Sequence, residues 1–267
     1  MQSQTPSTPE GAESAFDISE LFFSRTDTRG VIQTGNSVFQ RVSHYSWEEL
    51  VGSPHKLIRH PDMPKAVFYL LWDTIKAGKP IGAYVKNRAK TGQYYWVFAI
   101  VTPIEGGYLS VRLKPTSPLF ATVQEEYRKL RKAERDGEVT PAESTAALLA
   151  RLTELGWRSY GAFMAEALIE EVSAREIALH GQESEAGAAR RKLIRNASDN
   201  LSDAGKVLTL SKKLKYSSVN LSIHSAKNAA FRQIFGVIAE NFARVSDRLR
   251  TQIELFIENA ERVIDQI

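Results

Sequence analysis

Residues 81–86 (IGAYVK), 94–102 (YYWVFAIVT) and 108–113 (YLSVRL) are three runs rich in β-branched and aromatic residues, in quick succession. Lys90-Thr91-Gly92 separates the first two and Glu105-Gly106-Gly107 the last two, both compositions that favour tight turns. Such runs read as strands of an antiparallel sheet. Toward the N-terminus the pattern recurs at residues 21–25 and 31–34, divided by Asp27-Thr28-Arg29-Gly30. Between the two groups the reading turns helical. Ser46-Trp47-Glu48-Glu49 is a capping box opening a short helix that Gly52 ends. Residues 65–77 form a longer amphipathic helix, entered through Pro64 and closed by Gly78. Two strands, then helices, then three strands predict an α+β domain, a five-stranded antiparallel sheet cupping helices on one face.

Outward from this core, residues 1–15 are rich in Ser, Thr, Pro, Glu and Gln and are predicted to be a disordered tail. The mixed strand and helix domain spans 16–114. Beyond Pro115 no strand pattern survives, and residues 115–185 read as a helical connector. In it, residues 123–135 are a charged helix, Thr140-Pro141-Ala142-Glu143 opens a second, and a third runs from Ser159 through Leu179, with Gly181 interrupting it. Residues 186–267 are predicted to form a helical hairpin or coiled coil. Phe235, Ile238, Phe242, Val245, Leu249, Gln252, Phe256, Ala260, Val263 and Ile267 alternate spacings of three and four, a heptad seam with one polar member. Such a stripe needs a partner helix or a second subunit to cover it.

Composition narrows the function classes. Lys plus Arg is 35 against 31 Asp plus Glu, a net charge of +4, too small and scattered to argue for nucleic acid. No apolar run approaches the length of a membrane span, and residues 1–14 lack the apolar stretch of a secretory signal, so a cytoplasmic location is expected. The chain has no Cys, which excludes disulfides, thiolate metal sites and flavin–Cys photochemistry. No Ser–His–Asp spacing, metal cluster or glycine-rich nucleotide lid stands out, and the chain reads as a non-enzyme.

The stretch Gly52-Ser53-Pro54-His55-Lys56-Leu57-Ile58-Arg59-His60-Pro61-Asp62-Met63-Pro64-Lys65 resembles the PAS domain of bacterial aerotaxis receptors. So does Val85-Lys86-Asn87-Arg88-Ala89-Lys90-Thr91-Gly92, followed by Tyr94-Tyr95-Trp96-Val97. The resemblance covers about residues 20–114 and implies a sensor that holds FAD and reports redox or oxygen status. It also implies that Arg59, His60, Asp62, Trp72 and Asn87 bind the flavin or carry its signal, with His55 and Asn36 at further family positions. The chemistry of these residues agrees. Arg59 and His60 set a fixed and a titratable donor beside Asp62. Pro61 and Pro64 stiffen their loop, Asn87 offers an amide to a ring edge, and Trp72 offers a stacking face. Each also has a plainer reading: a loop salt bridge, a turn cap, a core aromatic, a hairpin edge. Heme is the alternative cofactor, with His44, His55, His60 or a Met as axial ligand.

Residues 220–227 and 235–240 are similar to the hairpin tip of methyl-accepting chemotaxis proteins, with His224, Lys227 and residues 231–234 departing from its pattern. This implies a degenerate receptor-like output. Its partners would be a second copy of the chain, a chemotaxis kinase with its coupling protein, or a chemoreceptor. The remaining alternative is a cofactor-free scaffold whose PAS domain serves dimerisation or docking.

Overall fold

The computed structural model describes residues 11–137, 139–226 and 229–264. Five strands form one antiparallel sheet: β1 (Phe22–Asp27), β2 (Ile32–Gly35), β3 (Ile81–Arg88), β4 (Tyr94–Ile104) and β5 (Gly107–Leu113), in the order β2-β1-β5-β4-β3. Between β2 and β3 lie α1 (Ser37–Ser43), α2 (Trp47–Leu50), a 3₁₀ turn (His55–Ile58) and α3 (Lys65–Lys76). The local signals act as read. Ser46 and Glu49 close their capping box, with the Ser46 backbone N–H donating to Glu49 Oε2 at 3.0 Å. These elements enclose a core that includes Phe22, Ile32, Phe39, Leu50, Ile58 and Val97. Burying each such side chain contributes about 1.5–3 kcal/mol.

The stretch Ala12–Ser14, expected in the disordered tail, is instead laid along β4. Ser14 N–H donates to the Tyr94 carbonyl at 2.6 Å, and Tyr94 N–H to the Ala12 carbonyl at 3.0 Å. The reason is a gap in the sheet. β5 pairs with β4 only from Phe98 onward, so the start of β4 has free backbone groups on that side, and these need partners. Phe16 follows into the core, edge-on to Phe22 at 5.2 Å. Residues 1–10 lie outside the described residues.

The connector helices are α4 (Pro118–Asp136), α5 (Pro141–Glu154) and α6 (Tyr160–His180). They do more than connect. Successive strand residues face opposite sides of a sheet, and β1 alternates buried with exposed along its length. β3, in contrast, is buried at nearly every position. Val85 and Asn87 face α3, while Gly82 and Tyr84 on its other face meet the connector. Tyr84 stacks on Phe120 of α4, and Trp96 of β4 meets the same ring edge-on.

Two buried carboxylates fasten these helices. Glu171 of α6 accepts from Tyr84 Oη at 2.8 Å, Ser117 Oγ at 2.6 Å, and the backbone N–H groups of Thr116 at 2.6 Å and Ser117 at 3.1 Å. Glu134 of α4 accepts from the N–H groups of Lys65 at 2.9 Å and Ala66 at 3.2 Å, and from Ser144 Oγ at 2.6 Å. Pro64 cannot cap α3 through its side chain, so a residue from a distant helix does so.

The chain divides into two compact units, the second beginning at Lys192. That unit consists of the remainder of α7 (Glu185–Ala226) and all of α8 (Ala229–Ile264), paired antiparallel. Their seam is polar: Ser211 Oγ donates to the Ser246 carbonyl at 2.9 Å, and Lys215 pairs with Asp247 at 2.8 Å. Among the described residues of the heptad stripe, the large apolar side chains are not covered by α7. Phe242, Val245, Leu249 and Phe256 are 48%, 54%, 37% and 48% exposed. Lys227, and the side chains of residues 221–237 that carry most of the tip resemblance, lie outside the described residues.

Candidate functional site

A cavity of about 180 Å³ opens between the inner sheet face and the helices. Every one of the five strands but β2 reaches it or its rim. β5 is antiparallel to both β1 and β4, and its alternation turns Tyr108, Ser110 and Arg112 inward. Thr26 comes from β1, Val85 and Asn87 from β3, and Ala99 and Val101 from β4. α3 supplies Phe68, Leu71, Trp72 and Ile75 at helical spacing along one face. The result is a slot with aliphatic and aromatic walls and a few polar groups converging on it, the usual composition of a small-molecule site.

The mouth is built by the turn before β2 and by the 3₁₀ turn with the residue that follows it, through Arg29, Gly30, Lys56 and Arg59. Gly30 has a positive φ of 79°, and a Cβ there would lie 2.8 Å from the Trp72 ring, so only glycine lets the indole close against the turn. Trp72 also meets Tyr108 edge-on at 5.8 Å. The Arg59 guanidinium lies 3.5 Å over the Phe68 ring, and burial lowers its pKa. The Arg59 backbone bridges to Asn87 on β3, which brings these two side chains to the same cavity. The Asn87 side chain is buried, and no hydrogen bond to its amide is found among the described residues.

The deep polar end is formed by Arg112 and His55. Arg112 Nη2 donates to His55 Nε2 at 2.6 Å and to Ser24 Oγ at 3.0 Å. As an acceptor, His55 Nε2 carries no proton, so the ring is neutral with its hydrogen on Nδ1. Burial first, then the charges of Arg112 and Arg59, hold the His55 pKa well below its usual value. Its ring is stacked on Phe39 at 6.0 Å. Arg112 is 3% exposed, and burial pushes its pKa down to about 10 with no carboxylate opposing. It therefore remains charged at neutral pH. Its Nη1 has no hydrogen-bond partner, and neither has Ser110 Oγ or Tyr95 Oη.

Of the residues that the sequence reading selects, His55, Arg59, Trp72 and Asn87 line this cavity. Asn36, His60 and Asp62 do not. Asn36 caps α1, its Oδ1 accepting from Phe39 N–H at 3.2 Å and Phe23 N–H at 3.3 Å. His60 Nδ1 accepts from the Asp62 N–H at 3.1 Å, and burial and Lys86 lower its pKa while Asp62 partly offsets them. Asp62 pairs with Lys86 at 3.0 Å on the outside of the loop, the main cause of its lowered pKa. These two shape the loop that carries Arg59 rather than the cavity wall. Arg112 and Ser110 escaped the sequence reading. The one available signal was an arginine sharing the inward alternation of an apolar strand, YLSVRL.

Residues 34–111 match the family described as the PAS fold. With the sheet and helices above, this gives the first part of the chain the PAS fold. More particularly, over 112 residues the chain is 45% identical to the aerotaxis receptor of Escherichia coli (strain K12), covering 40% of this chain and 22% of that protein. It is 28% identical over 81 residues to the nitrogen fixation regulatory protein of Klebsiella pneumoniae, covering 30% of this chain and 16% of that protein. A solved PAS domain from Colwellia psychrerythraea is 21% identical with a TM-score of 0.32, covering 36% of this chain and 86% of that one. The chain thus spans about a fifth of the length of the curated relatives it matches.

Proposed function

We propose that the PAS domain binds FAD in its cavity and that the chain is a cytoplasmic redox or oxygen sensor for aerotaxis-like signalling. The observation that carries this reading is the convergence of Arg59, Trp72, Asn87 and His55 on one slot, in a chain 45% identical over 112 residues to an aerotaxis receptor. The residues fit a flavin. A flat ring needs apolar walls, supplied by Leu71, Ile75, Val85, Ala99 and Val101. Its polar edge needs hydrogen-bond donors, and the free Asn87 amide and the unpartnered Arg112 Nη1 and Ser110 Oγ supply them. Arg29, Lys56 and Arg59 at the mouth suit a pyrophosphate. A bound flavin would supply reversible electron uptake; the chain's part is to hold the ring, exclude water from it and register its charge. Among the described residues no helix is long and apolar enough to cross a membrane.

Mass analysis of the chromophore released on denaturing the purified protein tests this. FAD at one per chain is expected; stoichiometric heme, or no ligand after incubation with flavin, overturns it and in the second case leaves the scaffold reading. Heme is disfavoured because His55, among the described residues the one histidine lining the cavity, has its Nε2 engaged by Arg112. Arg59→Ala and Asn87→Ala should each lower flavin affinity about tenfold or more, the loss of one charge-assisted or buried hydrogen bond. Unchanged occupancy of both variants at limiting flavin defeats the assignment.

The output side of the proposal is a homodimer through the hairpin, with the second unit engaging a chemotaxis kinase and its coupling protein or a chemoreceptor. The supporting observation is the exposed stripe of Phe242, Val245, Leu249 and Phe256 beside a serine-lined intrachain seam, an apolar face too large to leave in water. Light scattering should give a dimer, and Leu249→Asp with Phe256→Asp should give a monomer with the PAS domain intact. A monomeric parent chain at tens of micromolar refutes it.

A further inference from the structure

We infer that the deep end of the PAS cavity is a subsite for an anionic oxygen at the edge of a planar ligand, headed by Arg112 with Ser110 beside it. The inference rests on the cavity being a ligand site but not on the ligand being a flavin. Arg112 is an isolated buried cation. Among the described residues no carboxylate pairs with it, and both groups its Nη2 touches, Ser24 Oγ and neutral His55 Nε2, are uncharged acceptors. Burying a charge without a counter-charge is costly, and a folded chain rarely tolerates it without a use. Here the geometry fixes the side chain rather than hiding it. His55 and Ser24 hold one nitrogen, the rings of Phe22 and Phe39 lie 5.8 and 5.5 Å from the guanidinium carbon, and Nη1 is left unpartnered.

The second, independent observation is Ser110. It is 6% exposed, lines the same cavity two residues before Arg112 on β5, and its hydroxyl also lacks a partner. Two unsatisfied donors on one strand face, one of them charged, define a place for an acceptor bearing negative charge. The walls between them and the mouth are largely apolar, so the part of the guest that lies there is flat and uncharged. Under the flavin reading, the pyrimidine edge that carries the ring's carbonyl oxygens enters toward Arg112.

Matched probes test this on the full chain stripped of bound chromophore. 2-Naphthoate and its neutral isostere 2-naphthamide differ in charge and little in shape. At neutral pH, calorimetric titration should show naphthoate binding at least about tenfold tighter. Arg112→Gln should abolish that preference, Arg112→Lys should retain part of it, and Arg59→Gln at the mouth should leave most of it. Equal binding of the two probes by the parent chain, or a preference that survives Arg112→Gln, overturns the inference. If Arg112→Gln does not fold, Ser110→Ala decides, with a loss of naphthoate affinity expected and none for naphthamide. A parallel FAD titration separates this outcome from the flavin reading: naphthoate discrimination without FAD binding keeps the subsite and removes the flavin.

Discussion

The two sides of the PAS sheet treat their buried polar groups in opposite ways. On the side that packs the connector, Glu171 is fully buried, and its two oxygens take four donors from Tyr84, Thr116 and Ser117. Where the connector reaches the N-terminus of α3, Glu134 takes three more from Lys65, Ala66 and Ser144. On the cavity side, Arg112 and Ser110 keep donors with no protein acceptor. Native proteins satisfy nearly all buried polar atoms, so the exceptions are informative. Satisfied carboxylates staple α4 and α6 to the domain, and the unsatisfied donors mark where a guest completes the structure. The staples also join the ligand side to the output side: Glu134 caps α3, whose Trp72 lines the cavity, and Glu171 holds β3, which carries Asn87.

The comparison breaks most visibly at Glu171. Glu171→Ala strands several buried donors at about 1–3 kcal/mol each, so urea unfolding followed by circular dichroism should show a loss of at least about 3 kcal/mol. A loss below about 1 kcal/mol would remove the distinction between the two sides. Glu134→Ala should cost about 2 kcal/mol, because it uncaps α3 and frees Ser144. The fraying should fall on residues 65–66, read as faster amide exchange there, with exchange in β5 unchanged.

Acid should act through the cavity side. The folded pKa of His55 lies well below its ordinary value of 6.5. Between those two values the unfolded chain binds a proton that the folded chain refuses. Stability therefore falls as pH drops below about 6.5, by up to about 1.4 kcal/mol per pH unit, until the folded pKa is reached. His60 is shifted in the same direction, but its greater exposure gives it a smaller share. His55→Gln should flatten the slope between pH 6.5 and 5; an unchanged slope places the effect elsewhere. The smallest effect is expected at Arg112. Arg112→Met removes two hydrogen bonds and relieves a buried, unopposed charge, two changes of opposite sign. Unfolding free energy should stay within about 1 kcal/mol of the parent while ligand affinity falls.

Much of the fold was legible because its signals are local. The turn at Asp27–Gly30, the box at Ser46–Glu49 and the Thr140–Glu143 box over Pro141 each depend on residues within four positions, and each forms as read. The tail boundary was not legible, since only the unpaired start of β4 makes residues 12–14 bind there. The site was legible in part. His55, Arg59, Trp72 and Asn87 reach the cavity, whereas Asn36, His60 and Asp62, drawn from the same resemblance, cap a helix or brace a loop. A motif marks which loop matters without saying which way each side chain turns.

What the sequence determined by itself is the order of strands and helices and the turns and caps that bound them. Short-range hydrogen bonds and backbone preferences act between near neighbours and need no knowledge of the rest of the chain. Which polar groups are buried, and which of those go unsatisfied, was decided only by the tertiary structure. Arg112 meets its acceptors 57 and 88 positions away, at His55 and Ser24. Glu171 draws its four donors from 54 to 87 positions away. Nothing near either residue in the sequence, Glu171 between Glu170 and Val172 or Arg112 between Val111 and Leu113, says how it will be partnered. They differ in what the folded chain brings within hydrogen-bond reach of them: a complete set of partners for the carboxylate, and an incomplete one for the guanidinium beside the cavity.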